Sequence, residues 1–274
     1  MHDKGVKIKV LGIAGSPRKK GNTEYVLQFA IDEAKRVGEE LRKFGIEVET
    51  EYFSMAGKEF LQCISGFKCA RLEGRCSREG VYASDRVNEP DAFGELRDKW
   101  YDADVVLFAC PVYHMRLPSN VSAFLDRLGC TGWWAQKERL QRHFKVYGTI
   151  VQGEHLWSGQ RLATTDLIHH ALLMGNIVVA GDSWENYAGA CGWTENRLDV
   201  KALKELYEEK KTFDSISFFN AIKSQVKRAV QLGAIIKLGA LQLLDYLKTD
   251  ESFEFFVKRL TDQPQLPWLK KESR

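Results

Sequence analysis

The feature that most constrains the fold is a regular alternation of strand-like and helix-like segments along the first two thirds of the chain. Five short runs are rich in β-branched and apolar residues, as buried strands are. They cover residues 6–13, 48–53, 105–110, 146–151 and 177–180. The segments between them repeat apolar residues at helical spacing and cover residues 23–44, 91–101, 119–128 and 158–174, with helix starts expected near Asp85 and Asp91. This alternation predicts a doubly wound α/β fold with a five-stranded parallel sheet.

The C-terminal part of the chain has a different pattern. After Asp199 the strand-like runs stop, and the remaining apolar residues recur with a helical period. The sequence therefore predicts a sheet domain over residues 1–212 and a helical C-terminal extension over residues 213–274. Because the polar face of this extension carries both charge signs, we expect its apolar stripe to pack on the sheet domain or on a second subunit rather than on a membrane.

Charge and hydropathy exclude two classes of protein. The 40 basic and 37 acidic residues are spread along the chain and leave a net charge of only +3, which argues against a nucleic-acid partner. The longest apolar stretch, residues 232–247, contains Lys237 and Asp245 and is shorter than the ~20 residues that a bilayer span needs. The N-terminal residues lack the pattern of a secretory leader, so we expect a cytoplasmic protein without a membrane span.

The turn between the first strand and the first helix has the composition of an anion site. In "VLGIAGSPRKKGNTEYVLQFA", residues 10–30, Gly15 and Gly21 permit a close backbone approach. The first N–H groups of a helix lack intrahelical partners and carry the positive end of its dipole. Polar and cationic groups are supplied by Ser16, Arg18, Lys19, Lys20, Asn22 and Thr23. Neither G-x-x-x-x-G-K-[ST] nor G-x-G-x-x-G is present, so a single terminal phosphate fits best, with an ordinary capped turn as the alternative.

Two later loops are expected at the same edge of the sheet, because ligands of open parallel sheets bind beyond the carboxyl ends of the strands. The third strand leads into Pro111, Val112, Tyr113, His114 and Met115, and the fourth leads into a polar loop with Gly153, Ser158, Gly159 and Gln160. An apolar loop that faces a polar one across a phosphate turn suits a planar heteroaromatic ring with a phosphate tail. His114 and His155 either exchange a proton with such a ligand or bond to loop backbone.

Three stretches in this order resemble the NADPH-dependent FMN reductase and iron-sulfur flavoprotein family. They are "GIAGSPRKKGNT", "CPVYHMRLPSNVSAFLDR" and the later "SGQ" and "IHHALLMGNIVVAG" pair, and the resemblance spans residues 6–200. It implies a flavodoxin-like fold with strand order 2-1-3-4-5 and FMN as cofactor. The residues implied to hold the phosphate are Ser16, Arg18, Asn22 and Thr23, with Gly21 in the same turn. The resemblance further implies that residues 111–115 lie along the isoalloxazine and that residues 153–160 close its other side.

The segment "QCISGFKCARLEGRC" resembles the cysteine segment of this family, in which C-x-x-C-x-x-C and a fourth cysteine hold a [4Fe–4S] cluster. Matched residue by residue, it gives Cys63, Gly66, Cys69 and Cys76, so the second cysteine is a glycine here. Three thiolates leave one iron of a cubane cluster without a local ligand, so the sequence favours a loop without a cluster. A fourth sulfur comes from Cys110, Cys130 or Cys191 only if the fold brings it there. Zinc lacks a nearby histidine to join three thiolates.

The resemblance implies an oxidoreductase that moves hydride from NAD(P)H to FMN and electrons onward to a quinone, flavin, aromatic or metal acceptor. The flavin carries this chemistry, so we expect no catalytic side chain. The alternatives are an FMN-binding electron carrier or redox-sensing module, and an iron-sulfur flavoprotein fed by ferredoxin. A homodimer or higher homo-oligomer is also implied. Five tryptophans suit either a pocket wall or an interface: Trp133, Trp134, Trp157, Trp184 and Trp193.

Overall fold

The sheet has the predicted strand order. The structure is a computed structural model that describes residues 5–81, 90–137, 139–140 and 142–266. Its strands are β1 (Val6–Ala14), β2 (Ile46–Ser54), β3 (Val105–Pro111), β4 (Val146–Gly153), β5 (Ile177–Val178) and β6 (Ala190–Trp193). The strands pair in parallel in the order β2-β1-β3-β4-β5, and β6 also pairs with β4. The flavodoxin-like fold with order 2-1-3-4-5 is therefore confirmed.

The helices follow the predicted alternation. They are α1 (Asn22–Arg42), α2 (Lys68–Arg71), α3 (Phe93–Asp102), α4 (Ser119–Ala135), α5 (Gln160–Leu173), α6 (Ala202–Glu205), α7 (Phe213–Gln242), α8 (Leu244–Leu247) and α9 (Glu254–Leu260), with a π-helical turn at Leu206–Lys210 and a 3₁₀ turn at Glu251–Phe253. Helix α4 continues well beyond the predicted end at residue 128 and carries Cys130. Asp91 accepts the N–H of Phe93 at 3.2 Å just before α3, as expected of a helix start, and Asp85 lies outside the described residues.

Helices cover both faces of the sheet, which explains why β3 and β4 are apolar without alternation. Every residue of these two strands is buried. Helices α3, α4 and α5 pack on one face through residues such as Phe93, Phe124 and Leu167. Helices α1 and α7 pack on the other face, where Val26 and Val230 share one core. The loops that follow β1, β3 and β4 lie together at the carboxyl ends of the strands.

Two short strands share the fifth position of the sheet. Strand β5 pairs with the first two residues of β4, and β6 pairs with its last four. Residues 179–189 leave the sheet between them, and the buried Asn186 holds this excursion. Its Nδ2 donates to the carbonyl of Ala221 at 3.0 Å, and its Oδ1 accepts the N–H of Gly189 at 3.0 Å. The predicted strand over 177–180 is therefore shorter in the structure, and β6 was not predicted.

The segment after residue 213 packs on the sheet, as expected. Helix α7 contributes to the core that α1 forms, while Lys237 of α7 and Arg259 of α9 both bind the buried carboxylate of Asp104. The division into units at residues 212 and 213 stays a prediction. Within the described ranges, no helix combines the length and the apolar character that crossing a membrane requires.

Candidate functional site

The turn after β1 is built so that its backbone lies directly against β3 and α4. The N–H of Gly15 donates to the carbonyl of Ala109 at 2.8 Å, and the Asn120 amide donates to the carbonyl of Gly15 at 3.3 Å. A Cβ at position 15 would lie 2.7 Å from Cγ2 of Val121, which is closer than carbon atoms pack. Only glycine therefore allows the chain to leave β1 along this path.

Two buried hydroxyls stand at the beginning and the end of this turn. Ser16 Oγ accepts the N–H of Arg18 at 3.1 Å, and Thr23 Oγ1 accepts Nε2 of Gln152 at 3.1 Å. Both side chains are buried. A hydroxyl has one proton to donate besides its lone pairs, and within the described part of the chain neither proton has an acceptor. Both hydroxyls can therefore donate to a bound anion.

The start of α1 leaves backbone donors available. Gly21 precedes the helix, and no side chain of the described residues caps it. The first N–H groups of α1 therefore lack a partner inside the helix. Two other groups of the turn are already engaged. Glu24 accepts the N–H of Lys20 at 2.5 Å, and Asn22 bonds to Asp199 and Leu203 with its side chain. Asn22 thus fastens the 199–203 segment to the turn in this structure.

The loop after β3 is a tight turn with an unusual backbone. Val112 donates its N–H to Gln152 at 2.9 Å, and Tyr113 and Arg116 exchange backbone hydrogen bonds of 2.9 and 3.1 Å. Between them His114 and Met115 have φ angles of 47° and 68°, in the left-handed region that residues other than glycine rarely adopt. Both side chains are exposed, so the turn presents them beyond the edge of the sheet.

The loop after β4 packs against that turn. Gly159, the residue before α5, has a φ of 106°, and a Cβ there would collide with the backbone of Met115. Gln160 fixes the loop, because its Oε1 accepts the N–H of Ser158 at 3.0 Å and its Nε2 donates to the carbonyl of His155 at 2.7 Å. Gly153 lies beside Ser158 and Gln160. The predicted residues of the two later loops are therefore brought together.

Arg18 links the first turn to the second. Its guanidinium carbon lies 5.8 Å from the centre of the Tyr113 ring, within cation–π range. Gln152 provides a second link, since it reaches both Thr23 and Val112. The sequence places Gln152 after the fourth strand but gives no signal that it pairs with a residue 129 positions earlier. Its role follows from the parallel pairing of the strands, which aligns their carboxyl ends.

The histidine and tryptophans that the sequence also singled out bind elsewhere or are exposed, away from the turn after β1. His155 Nδ1 lies 2.6 Å from Oδ1 of Asn196 in an exposed loop, and Trp193 donates its indole N–H to Asp214 at 2.9 Å. Trp157 and Trp184 are 82% and 88% exposed. These two rings cover no core, so they are available to a ligand or to another chain.

The cysteine segment forms a second, separate site. Cys63, Cys69 and Cys76 line one small solvent-open pocket, and Cys130 of α4 lines it with them. The sulfur atoms of Cys69 and Cys130 are 3.6 Å apart. Burial, together with the neighbouring thiols of Cys69 and Cys63, raises the pKa of Cys130 to about 12. In the part of the chain that the structure describes, no three His, Cys, Asp or Glu side chains are close enough to hold a single metal ion.

A parallel sheet of this order, with three loops gathered at the carboxyl ends of its strands, defines the flavodoxin-like class of fold. Residues 8–186 match the NADPH-dependent FMN reductase family, and the chain belongs to that family. The protein is thus an FMN-dependent oxidoreductase by family.

Two relatives extend the comparison. The chain is 30% identical over 223 residues to an iron-sulfur flavoprotein of Archaeoglobus fulgidus, covering 81% of this chain and 96% of that protein. It is 29% identical over 178 residues to an iron-sulfur flavoprotein of Methanocaldococcus jannaschii, covering 64% of this chain and 77% of that protein. The solved structure of RosB aligns with a TM-score of 0.50 at 13% identity, over 86% of this chain and 87% of RosB, and it supports the fold alone.

Proposed function

We propose that this protein binds FMN with the phosphate in the turn of residues 15–23. The observation that carries the proposal is the pair of buried hydroxyls, Ser16 and Thr23, whose oxygens already accept hydrogen bonds and whose protons remain to be donated. They flank the uncapped start of α1, where the helix dipole stabilises an anion. The turn therefore offers hydroxyl and amide donors to a terminal phosphate.

The two later loops supply the surroundings of a flat ring. The backbone of Pro111, Val112 and Tyr113 continues β3 toward the site, and Gly159 lets the next loop approach Met115. Ser158 and Gln160 keep that loop in place. FMN, when bound, supplies the redox chemistry between a nicotinamide and an acceptor. The task of the residues is to hold the ring and to leave one of its sides open.

The phosphate contacts are tested by Ser16→Ala and Thr23→Val, each of which removes one hydroxyl with little change in shape. A hydrogen bond to a charged group contributes about 1.5–3 kcal/mol, so each variant should bind FMN about 10- to 100-fold more weakly. Riboflavin has the same ring without the phosphate, so its affinity should change little. Affinity is measured by titrating flavin-free protein and following the quenching of flavin fluorescence.

Thr165→Val is a matched control, because among the described residues the Thr165 hydroxyl bonds within its own helix, to the carbonyl of Arg161. It should bind FMN like the unmodified protein. Equal losses of FMN and riboflavin affinity in the Ser16 and Thr23 variants would show that they act through the fold, and undiminished FMN binding would place the phosphate elsewhere.

We further propose that the enzyme is an NAD(P)H-dependent FMN reductase that passes electrons to a small acceptor such as a quinone, a free flavin, an aromatic compound or a metal ion. Met115 and Trp157 are exposed on the two ring-side loops, which suits a second flat substrate at that face. Oxidation of NADH and of NADPH is measured with and without an added quinone. An electron carrier would hold FMN without steady-state nicotinamide oxidation, and that result would favour the carrier.

A homodimer is part of this proposal. Large apolar side chains are exposed on α5, in the loop before it and in the segment between β5 and β6, which supports the proposal: Leu162, Leu172, Leu173, Trp157 and Trp184. Large exposed apolar groups in one region mark interaction sites. Sedimentation of the protein with and without FMN measures the oligomeric state, and a monomer under both conditions would contradict the proposal.

The second candidate function adds an iron-sulfur cluster to the flavin. One observation favours it, namely the convergence of four cysteines on one cavity. The sequence favours a cluster-free loop because one motif position is Gly66, and the presence of Cys130 at the cavity supports a fourth sulfur ligand. A cluster of this kind would supply single-electron exchange with a redox partner.

A further inference from the structure

Four cysteines from two distant parts of the chain face one another across a single cavity. Cys63, Cys69 and Cys76 come from the segment between β2 and α3, with Cys69 on α2, whereas Cys130 lies on α4. The Sγ atoms of Cys69 and Cys130 are 3.6 Å apart, and Cys63 and Cys76 line the same cavity. The fold thus places Cys130 beside the cysteines of the loop.

The geometry points to Cys130 as the fourth ligand of a [4Fe–4S] cluster whose other ligands are Cys63, Cys69 and Cys76. In this arrangement Cys130 replaces the motif cysteine that is Gly66 in this chain. This inference rests on the second candidate function and is independent of FMN binding. Cubane clusters take four thiolates, and this cavity is the place in the described chain where four cysteines meet.

Donor groups around the cavity suit thiolate ligands. The N–H of Ser65 points to the sulfur of Cys63 at 3.4 Å, and Nε of Arg127 donates to the sulfur of Cys76 at 3.3 Å. Hydrogen bonds of this kind stabilise charge on ligating sulfur. Two ligands of the proposed cluster therefore already have donors directed at them.

The charge of the cavity wall has the sign that a cluster requires. Four thiolates on a [4Fe–4S]²⁺ core leave a net charge of −2, which nearby cations stabilise. Lys68, Arg78 and Arg127 line the cavity, and none of its lining residues among those described is acidic. Lys68 and Arg78 thus place positive charge at the cavity wall, whereas the charge of Arg127 is already paired with the buried carboxylate of Asp91.

Assembly is a ligand exchange that needs no oxidant or reductant. Each of the four cysteines loses its thiol proton and forms one S–Fe bond to the core. Each synthetic thiolate that leaves the core takes up one of those protons and departs as a free thiol. A water-soluble [4Fe–4S]²⁺ complex with four exchangeable thiolates is therefore the probe, added anaerobically to the reduced full-length protein.

The assay compares cluster uptake by the unmodified chain, Cys130→Ser and Cys191→Ser. Cys191 is exposed and lies outside the cavity, which makes its substitution the matched control. Bound iron and acid-labile sulfide are counted after gel filtration, and the electron paramagnetic resonance of the dithionite-reduced samples is recorded. We expect about four irons and four sulfides per chain in the unmodified protein and in Cys191→Ser, and at least a fourfold loss in Cys130→Ser.

A rescue variant separates ligation from folding. Gly66 lines the cavity, and a Cβ there meets only Ile64, at an ordinary contact distance of 3.7 Å. Gly66→Cys should therefore restore cluster uptake to Cys130→Ser. FMN affinity, which reports on the rest of the fold, should be the same in all these variants.

Four results would overturn the inference. If Cys130→Ser takes up as much cluster as the unmodified chain, Cys130 is not a ligand, although the second candidate function still holds. An unmodified chain that binds no cluster, or that binds only zinc when offered both, would refute the second candidate function as well. A Cys69–Cys130 disulfide, found by mass spectrometry in protein purified anaerobically without reductant, would assign the close sulfur pair another role.

Discussion

The buried carboxylate of Asp104 gives the strongest stability prediction, since it holds the C-terminal helices to the sheet. One oxygen accepts Nζ of Lys237 at 2.8 Å, and the other accepts Nε of Arg259 at 3.1 Å. The backbone N–H of Lys9 completes its surroundings at 3.0 Å. Asp104→Asn keeps the shape but replaces a charged acceptor by a neutral group with its own donors. Lys237 and Arg259 then share one neutral amide oxygen in place of a carboxylate.

The expected magnitude follows from this burial. Side chains of Asp104 and Arg259 are 5% and 3% exposed, so the pair cannot exchange its partners for water. Removing one member of a buried ion pair costs about 3–5 kcal/mol, and the remaining Asn oxygen favours the lower end. With a urea m-value of about 3 kcal/mol per molar, the unfolding midpoint should fall by about 1 M. Asp102→Asn is the control, because Asp102 is 60% exposed and its pair with Lys9 contributes at most about 1 kcal/mol.

The assay is urea unfolding followed by far-ultraviolet circular dichroism, repeated at several pH values. Burial alone would raise the pKa of Asp104, but the charges of Arg259 and Lys237 outweigh it and hold the pKa below its usual value. A lowered carboxyl pKa stabilises the fold above the unfolded pKa of about 3.9, and that stability is lost as the pH falls through the folded pKa. The difference in free energy of unfolding between the unmodified protein and Asp104→Asn should therefore be constant above about pH 5 and should decrease below about pH 4. Equal midpoint shifts for the Asp104 and Asp102 variants would refute the reasoning.

Two further predictions concern helices that border the site. Burial lowers the pKa of His170 to about 4, and its neutral Nε2–H donates to the carbonyl of Leu125 at 3.0 Å. Because the unfolded chain binds more protons below about pH 6.5, the free energy of unfolding should drop by about 2 kcal/mol from pH 7.5 to pH 5. The drop should be much smaller in His170→Gln. An equal drop in both proteins, measured by urea unfolding, would contradict this. Asn22→Ala should remove about 1–2 kcal/mol of stability through the lost bonds to Asp199 and Leu203 and weaken FMN binding less than tenfold; a hundredfold weaker binding at unchanged stability would put Asn22 on the phosphate.

Local patterns were sufficient to predict the layered fold. The helical spacing of Val26, Ala30, Ala34 and Val37 gives α1 one apolar face, and all four residues are buried. The apolar runs of β3 and β4 likewise predict strands that are covered on both faces. Such features depend on residues a few positions apart, and periodicity therefore detects them. The split of the fifth strand escaped prediction because it depends on Asn186, whose amide bonds to α7, 35 residues later.

The proposed phosphate turn was visible in the sequence, but its contacts were not. Small, hydroxyl and cationic residues between a strand and a helix indicate an anion site wherever they occur. The engagement of Asn22 with the 199–203 segment, and of Thr23 with Gln152, arises between parts of the chain more than 120 residues apart. Residue types alone therefore do not distinguish a side-chain amide that faces a ligand from one that bonds to a distant loop.

Under the cluster proposal, Cys130 on α4 compensates for the motif position that Gly66 occupies. Arg127 lies one turn before Cys130 on α4, and its buried guanidinium binds Asp91 at 2.7 Å and the carbonyl of Leu61 at 3.1 Å. These contacts tie both ends of the cysteine loop to α4 without any metal. Because the loop is already held against the helix, a ligand on that helix needs little additional ordering to reach the cavity. A cluster bound by Cys130 would add covalent links between these held ends, so its removal should increase protease cleavage of the segment between Leu61 and Asp91 while the sheet stays folded.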